Sequence, residues 1–302
     1  MKIFEQLIKP ESVDSFFEKT WTQKELHLKN GFDVKSVFSL DELNTIIKTN
    51  QEHLSFPIIR LIKNGKVISE SKYTEIVSKR RQTTSKQISL DKIIKLCESG
   101  ATLTFNGLNN YSTKLSNFCS NLSEELNEAS QINCYLTQKG NQGFETHYDH
   151  HEIFILQVEG EKEWELFGEA NTFPVPTNNH YDQGSPDFNN RRTYNLESGD
   201  VFYIPRGMWH QAKANKTSSL HLTLNVICRL KIDFVHWAFD YFAKNEVKFR
   251  ENLSPIGGIY KPNSMTFIAQ YFQTIEKDYS HLRKLFDDYK NQNKELKLPF
   301  IN

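Results

Sequence analysis

His147-Tyr148-Asp149, taken together with Gly199-Asp200-Val201-Phe202-Tyr203-Ile204-Pro205-Arg206-Gly207-Met208-Trp209-His210, is the stretch on which the reading of this chain turns. Two histidines and one carboxylate can grip one face of a metal ion and leave the opposite positions open. That donor set suits non-haem Fe(II), with the open positions free for a co-substrate and O2. On a strand, residues two apart point to one face. The spacing therefore predicts His147 and Asp149 side by side, with Tyr148 turned away. His210 follows the turn signal Pro205-Arg206-Gly207 after the strand-like run Val201-Phe202-Tyr203-Ile204. A third ligand at the end of a distant strand is what a barrel interior supplies. Carboxylate with imidazole, and no cysteine close by, favours iron over a zinc site.

His150 and His151 extend the cluster. By strand parity His151 shares the face of His147 and His150 does not. Both are read as lining the mouth of the site or touching substrate, and Glu152 as a structural or solvated carboxylate.

The bulk properties narrow the function classes. The chain has 302 residues, formal net charge zero, 38% hydrophobic and 25% charged residues, so it can bury a sizeable core and is not broadly disordered. The neutral balance argues against a direct nucleic-acid binder or a membrane-surface protein. The basic run Lys79-Arg80-Arg81 reads as a solvated loop. Cys97, Cys119, Cys134 and Cys228 form no CxxC pair, which fits reduced thiols. No run approaches the ~20 apolar residues of a membrane helix, and Met1-Lys2-Ile3-Phe4-Glu5 lacks a signal-peptide core. The expectation is a soluble cytoplasmic protein.

Hydrophobic periodicity divides the chain into three. Residues 1–99 read as a helical and mixed region supporting a barrel. Ser39, with Glu42 three residues on, reads as a capping box opening a helix. Residues 55–68 alternate like strands around the hairpin signal Asn64-Gly65, and 69–90 read as a polar loop. Residues 100–230 read as the core. A short strand over Ala101–Phe105 precedes an amphipathic helix over Tyr111–Ala129, in which Leu115, Phe118, Cys119, Leu122 and Leu126 recur at three and four. From Gln131 the period is two. The strands predicted there are 132–137, 152–159 and 161–167 split at Gly160, 193–196, 201–204 and 219–228, with 168–192 a loop insertion. Many short strands with Gly and Pro punctuation predict a jelly roll or barrel. Residues 231–302 read as helical: Phe234, Trp237, Ala238, Tyr241 and Phe242 make one apolar face, and Tyr271–Tyr289 a further helix. The fold class is mainly β with helical appendages.

Several ordered motifs carry a resemblance over roughly residues 10–230. They are Phe16-Phe17-Glu18-Lys19-Thr20-Trp21, Gly100 to Leu108, Asn133-Cys134-Tyr135-Leu136-Thr137, Gln142-Gly143-Phe144, His147-Tyr148-Asp149, Phe154 to Gly160, Trp164, Gly199-Asp200, Pro205-Arg206-Gly207, His210-Gln211-Ala212 and Leu220-His221-Leu222-Thr223. In these the chain resembles the JmjC-type cupin oxygenases, nearest the ribosomal oxygenase-like group. The resemblance implies a double-stranded β-helix (jelly-roll) core with Fe(II), 2-oxoglutarate as cosubstrate and O2. It implies hydroxylation of an amino-acid side chain in a protein or peptide, with succinate and CO2 released. His147, Asp149 and His210 fall on the family's metal-ligand positions.

Lys162 matches a cosubstrate lysine. It alternates with Trp164 and Leu166 on a face that is otherwise apolar, where an unpaired lysine is costly. A bound dicarboxylate would offset that cost. Asn133 matches a polar position near the cosubstrate, and Asn225 lies on the last core strand; either hydrogen-bonds the cosubstrate or satisfies the strand ladder. Tyr135 is either a cosubstrate contact or a core aromatic with its hydroxyl bonded. Arg206 is read as capping the turn that presents His210.

One departure concerns the end of the chain. The family carries a helical dimerisation region followed by a winged-helix domain. The stretch after Cys228 could supply the first, as a homodimer contact, and looks short for both. The substrate is therefore left open between a ribosomal protein, a natural-product precursor peptide and a small molecule. The competing classes are a non-catalytic cupin binding protein and, last, another cupin metalloenzyme such as an isomerase.

Overall fold

The structure, a computed structural model, describes residues 2–77, 85–169, 173–175, 184–251 and 266–292. The chain divides into two compact units, Met1–Cys228 and Arg229–Asn302. The strands of the first unit are, in chain order, β1 (Leu26–Leu28), β2 (Ile59–Lys63), β3 (Lys66–Val67), β4 (Thr74–Val77), β5 (Ser85–Ile88), β6 (Thr102–Phe105), β7 (Ala129–Thr137), β8 (Asn141–Gln142), β9 (Glu152–Gly160), β10 (Lys162–Glu169), β11 (Arg192–Leu196), β12 (Val201–Ile204), β13 (Met208–Ala214) and β14 (Ser219–Ile227). Its helices are α1 (Ile3–Leu7), α2 (Val13–Lys19), α3 (Leu40–Thr49), α4 (Leu90–Glu98) and α5 (Thr113–Leu126).

The strands form an eight-stranded sheet in the order β1-β12-β9-β14-β7-β6-β2-β3 and a four-stranded sheet in the order β11-β10-β13-β8. This is the expected jelly-roll core with helical additions. Residues 1–99 are woven into it, since β1 pairs with β12 and β2 with β6. The hairpin at Asn64-Gly65 forms between β2 and β3.

Strand alternation decides which side chains meet the interior. On β9, Phe154, Leu156 and Val158 join the core that also holds Phe4, Phe16, Leu115 and Leu122 from the helices. Ile153 and Ile155 point the other way, into a second cluster with Trp164, Leu166, Phe202, Ile204 and Met208. The helix-facing core takes Ile132 and Cys134 of β7 and Leu220, Leu222, Leu224 and Val226 of β14. Period two then puts Asn133, Tyr135 and Thr137, and His221, Thr223 and Asn225, on the inner face. The inner wall is thus largely apolar along β9, β12 and, apart from Lys162, β10, and polar along β7 and β14. Buried polar groups without a ligand or partner are costly, so that polar half marks the site.

Helix starts follow their sequence signals. The Ser39 hydroxyl accepts from the Glu42 N–H at 3.2 Å and lies 3.2 Å from the Glu42 carboxylate. This is close to the expected capping box. Aromatic packing then seats α1 and α2 on the back of the sheet. Phe16 meets Tyr203 at 5.1 Å, and Trp21 stacks on Tyr203 at 5.7 Å.

In the first unit the structure departs from four expectations. The polar stretch 69–90 contains the hairpin pair β4 and β5 rather than loop alone. The segment Leu26–Leu28 is a strand, paired over a long range with β12. His210 does not end a strand after its turn; it is the third residue of β13. His147 makes a single antiparallel bridge with His210, and Asp149 lies in the loop beyond it, so the pair does not sit on a regular strand. The Lys79-Arg80-Arg81 run lies outside the described residues, as do parts of the 168–192 insertion.

In the second unit, α6 (Lys231–Asn245) carries the predicted apolar face. Phe234, Ala238 and Phe242 pack with Leu282 and Phe286 of α8 (Tyr279–Gln292). The single helix expected over 271–289 is two, α7 (Thr266–Lys277) and α8, parted at Asp278. Among the described residues no helix is long and apolar enough to cross a membrane.

Gly160, the last residue of β9, has φ +67°, and a Cβ there would lie 1.8 Å from the Ser218 carbonyl oxygen. Both the backbone region and the space exclude a side chain. Gly160→Ala should lower the unfolding free energy by about 2 kcal/mol or more, read from urea denaturation. A loss under about 0.5 kcal/mol would contradict this packing.

Candidate active site

His147 and His210 are joined through their backbones. His147 N–H donates to the His210 carbonyl at 3.0 Å, and His210 N–H to the His147 carbonyl at 2.7 Å. Gly207 N–H donates to the Asp149 carbonyl at 2.9 Å, tying the Pro205-Arg206-Gly207 turn to the third residue of the cluster. These bonds bring His147, Asp149 and His210 together although the intervening chain is long. One donor atom from each lies within 4.8 Å of the others, and the described residues contain no other such group of three.

The ring tautomers are fixed by the backbone. His147 Nδ1 is 2.8 Å from the Glu145 carbonyl, and His210 Nδ1 is 2.9 Å from the Met208 carbonyl. A carbonyl only accepts, so each Nδ1 carries the proton and each Nε2 presents a lone pair. His210 Nε2 lies 3.7 Å from Asp149 Oδ2. Burial, reinforced by His147, pushes the His210 pKa down to about 4, so its imidazole is neutral. Two Nε2 donors and one carboxylate, converging from one side, fit a divalent iron ion.

The three side chains open into a cavity of about 250 Å³. Lys162, Asn133, Tyr135 and Asn225 all line it, as do His151, Trp164 and His221. Lys162 is 4% exposed and donates to Thr137 Oγ1 at 3.0 Å; Thr137 in turn accepts from Thr102 at 3.1 Å. Desolvation lowers the Lys162 pKa to about 7. Asn133 Oδ1 accepts from the Gly107 N–H at 2.9 Å. Asn225 Oδ1 meets His151 Nε2 at 2.8 Å, while its Nδ2 donates to the Gln131 and Thr223 carbonyls. Asn225 therefore holds His151 against the cavity wall, and its own side chain is fully engaged. Burial raises the Tyr135 pKa, which keeps the phenol protonated and a donor.

His221, Arg60 and Thr137 line or shape this cavity and were given no role from the sequence. His221 is 2% exposed, stacks on Tyr135 at 4.9 Å with 9° between the rings, and has its Nδ1 buried without a partner among the described residues. Thr137 was legible, because it shares the alternate face of Asn133 and Tyr135. Arg60 was not, because its orientation depends on the pairing of β2 with β6.

Behind the site, Glu152 is fully buried. The Tyr203 hydroxyl donates to its Oε2 at 2.5 Å, and the Arg206 N–H approaches the same oxygen at 3.3 Å. Tyr203 also accepts from the Thr22 N–H at 2.8 Å. Glu152 is thus a structural carboxylate that anchors the turn leading to His210. Desolvation raises its pKa against the Tyr203 hydrogen bond.

Residues 108–231 match the family model described as the JmjC domain. This chain carries a JmjC domain. Ribosomal oxygenase 2 of Mus musculus is 30% identical over 233 residues, which are 74% of this chain and 46% of that protein. The Dictyostelium discoideum protein named bifunctional lysine-specific demethylase and histidyl-hydroxylase NO66 is 29% identical over 228 residues, 72% of this chain and 41% of that one. The chain spans less than half the length of either relative. The resemblance expected from the motifs is borne out. The structure of the Escherichia coli ribosomal oxygenase YcfD with cobalt and 2-oxoglutarate superposes with a TM-score of 0.60 at 19% identity, covering 92% of this chain and 70% of that one. At that identity the likeness is one of fold. The JmjC match begins after β6, so Arg60 on β2 lies upstream of it.

The depressed Lys162 pKa has a signature. Between about pH 7 and 10.5 the unfolded chain holds a proton on this lysine that the folded chain does not. Stability therefore rises with pH across that window, and the full cost is present below it. Lys162→Met in the ligand-free chain should melt above the parent at and below about pH 7, with the gap closing toward pH 10. A gap that does not change with pH would contradict the buried, unpaired lysine.

Proposed function

We propose that this chain is an Fe(II)- and 2-oxoglutarate-dependent dioxygenase that hydroxylates an amino-acid side chain of a protein or peptide. The observation that carries the reading is the pair of Nδ1-anchored imidazoles converging with Asp149 at the mouth of a cavity whose deep end holds a buried, charge-starved lysine. A pseudoenzyme or a purely structural jelly roll has no use for that combination, since an apolar residue at 162 would be cheaper to bury. The relatives named ribosomal oxygenases support a protein substrate, and the YcfD complex supports the cosubstrate.

In this reading His147 Nε2, Asp149 and His210 Nε2 hold the iron. When bound, iron with 2-oxoglutarate and O2 supplies the oxidising chemistry that inserts one oxygen atom into a C–H bond and sends the other into succinate, with CO2 released. Lys162 meets the far carboxylate of 2-oxoglutarate as a charge partner, and Thr137 fixes the ammonium in place. Tyr135, kept protonated, donates a hydrogen bond to the same ligand. Ile153, Ile155 and Trp164 exclude water from the opposite wall. Glu152 and Tyr203 act through the backbone, holding the turn that aims His210. For residues 231–302 the reading keeps a homodimer contact, supported by the exposed Ile232, Phe272, Tyr279 and Tyr289 on its helices.

The test is succinate formation from 2-oxoglutarate by the Fe(II)-loaded chain in air, with and without a peptide pool. The parent should form succinate, more so with peptides. His147→Ala and Asp149→Ala should lose at least ~100-fold while keeping the parent's circular dichroism. Lys162→Met should raise the KM for 2-oxoglutarate by about tenfold or more, with a smaller change in kcat. Full activity in both ligand variants would overturn the metal assignment. An unchanged KM would overturn the role of Lys162.

A further inference from the structure

We propose that Arg60 selects the residue this site acts on, and that the target side chain is a hydrogen-bond acceptor without positive charge. This rests on the oxygenase reading above.

Arg60 lies in a cross-strand row on the eight-stranded sheet. It pairs with Thr104, Thr104 with Tyr135, and Tyr135 with His221. Directly paired residues share a face, so Arg60 points to the cavity side, and its side chain is part of the cavity wall. Its neighbours on β2, Ile59 and Leu61, are buried in the helix-facing core and leave it no other direction. The Arg60 Nε is buried and has no hydrogen-bond partner among the described residues, and Thr104 Oγ1 beside it is in the same condition. An unpartnered guanidinium nitrogen on a residue of the cavity wall, with a second unpartnered polar atom on the adjacent strand, marks a place for a polar ligand group.

The cosubstrate does not fill it. Lys162 rises from the four-stranded sheet and is held by Thr137. Arg60 enters from β2, two strands beyond Tyr135's own β7 in the pairing order β7-β6-β2, about 10 Å away at strand spacing. A dicarboxylate that gives one end to the metal has a single free carboxylate, and Lys162 takes it. Iron, Lys162 and Arg60 then outweigh Asp149 and the dicarboxylate by one positive charge. An arginine or lysine from the substrate would add a second charge in a dry site, where repulsion is weakly screened. A carboxylate would cancel the excess, and a carboxamide or neutral imidazole would still take the Arg60 N–H donors. Asn106 and Asn133, beside Arg60 in the same wall, add polar groups suited to a planar acceptor.

The test reads binding rather than turnover. Mn(II)-loaded chain with 2-oxoglutarate, under nitrogen, is mixed with degenerate peptide pools fixed at one central residue: Asp, Asn, His, Arg or Lys. Paramagnetic broadening of the fixed residue's protons reports its approach to the metal. One acceptor pool should be favoured over the Arg and Lys pools by about tenfold. A lead by Asp identifies a carboxylate, and a lead by Asn or His a neutral acceptor. Arg60→Gln should erase the preference and leave 2-oxoglutarate affinity within about twofold. Arg60→Lys should keep the exclusion of cations and lose the preference for planar acceptors. A lead by Arg or Lys, an unchanged preference in Arg60→Gln, or no pool broadened while 2-oxoglutarate binds would overturn the proposal. A tenfold loss of 2-oxoglutarate affinity in Arg60→Gln would also overturn it and make Arg60 a cosubstrate residue. Failure of the parent to bind 2-oxoglutarate at all would bring down the oxygenase reading itself.

Discussion

The two backbone hydrogen bonds between His147 and His210 are the constraint on which the site depends. They join a loop after β8 to the start of β13 and set the separation of the two imidazoles before any metal is present. The Glu145 and Met208 carbonyls then accept hydrogen bonds from the two Nδ1–H groups and leave both Nε2 atoms facing Asp149. The third tie, Gly207 to the Asp149 carbonyl, makes the carboxylate part of the same frame. Preorganisation of this kind leaves little rotamer freedom to be lost on metal binding. Its support lies further back, where Thr22, Tyr203, Glu152 and Arg206 form a chain of hydrogen bonds across the sheet. The N-terminal region thus reaches the turn before His210 through one buried carboxylate.

The same strands do two jobs because their side chains alternate. One face of β7, β9 and β14 seals the core under the helices. The other face divides into an apolar wall on β9 and a polar one on β7 and β14. Polar residues on an inner face weaken a jelly roll unless something occupies it. Lys162, His221 and Arg60 carry that cost together around one cavity.

Much of this was legible from the sequence. Period two located β7, β9, β10 and β14 near their limits because each is long and apolar on one face, and the short β12 because it is a fully apolar run between turn residues. The H-x-D pair with His210 named three residues that the structure brings together. It misjudged their backbone: the strand parity assumed for His147 and Asp149 is replaced by a single bridge and a loop, and that bridge is a pairing with residue 210 which no local pattern encodes. The same cause hid Leu26–Leu28, a three-residue strand that exists only because Val201–Tyr203 is there to pair with it. The hairpin of β4 and β5 is too polar to announce itself. Arg60 sits between two apolar residues, and only the position of β6 tells which side of the sheet it serves. The break at Asp278 interrupts a helical period that continues on both sides of it.

The central claim is that His147, Asp149 and His210 form one metal site that shares a cavity with the dicarboxylate held by Lys162. An anaerobic titration of the chain with Fe(II), followed by 2-oxoglutarate, tests it most directly. The account predicts one iron per chain and a visible absorption band that grows only when 2-oxoglutarate joins the iron, absent in Asp149→Ala and shifted to higher 2-oxoglutarate concentration in Lys162→Met. Iron bound in that ratio with no new band at any 2-oxoglutarate concentration, or a band that survives Asp149→Ala unchanged, would contradict it.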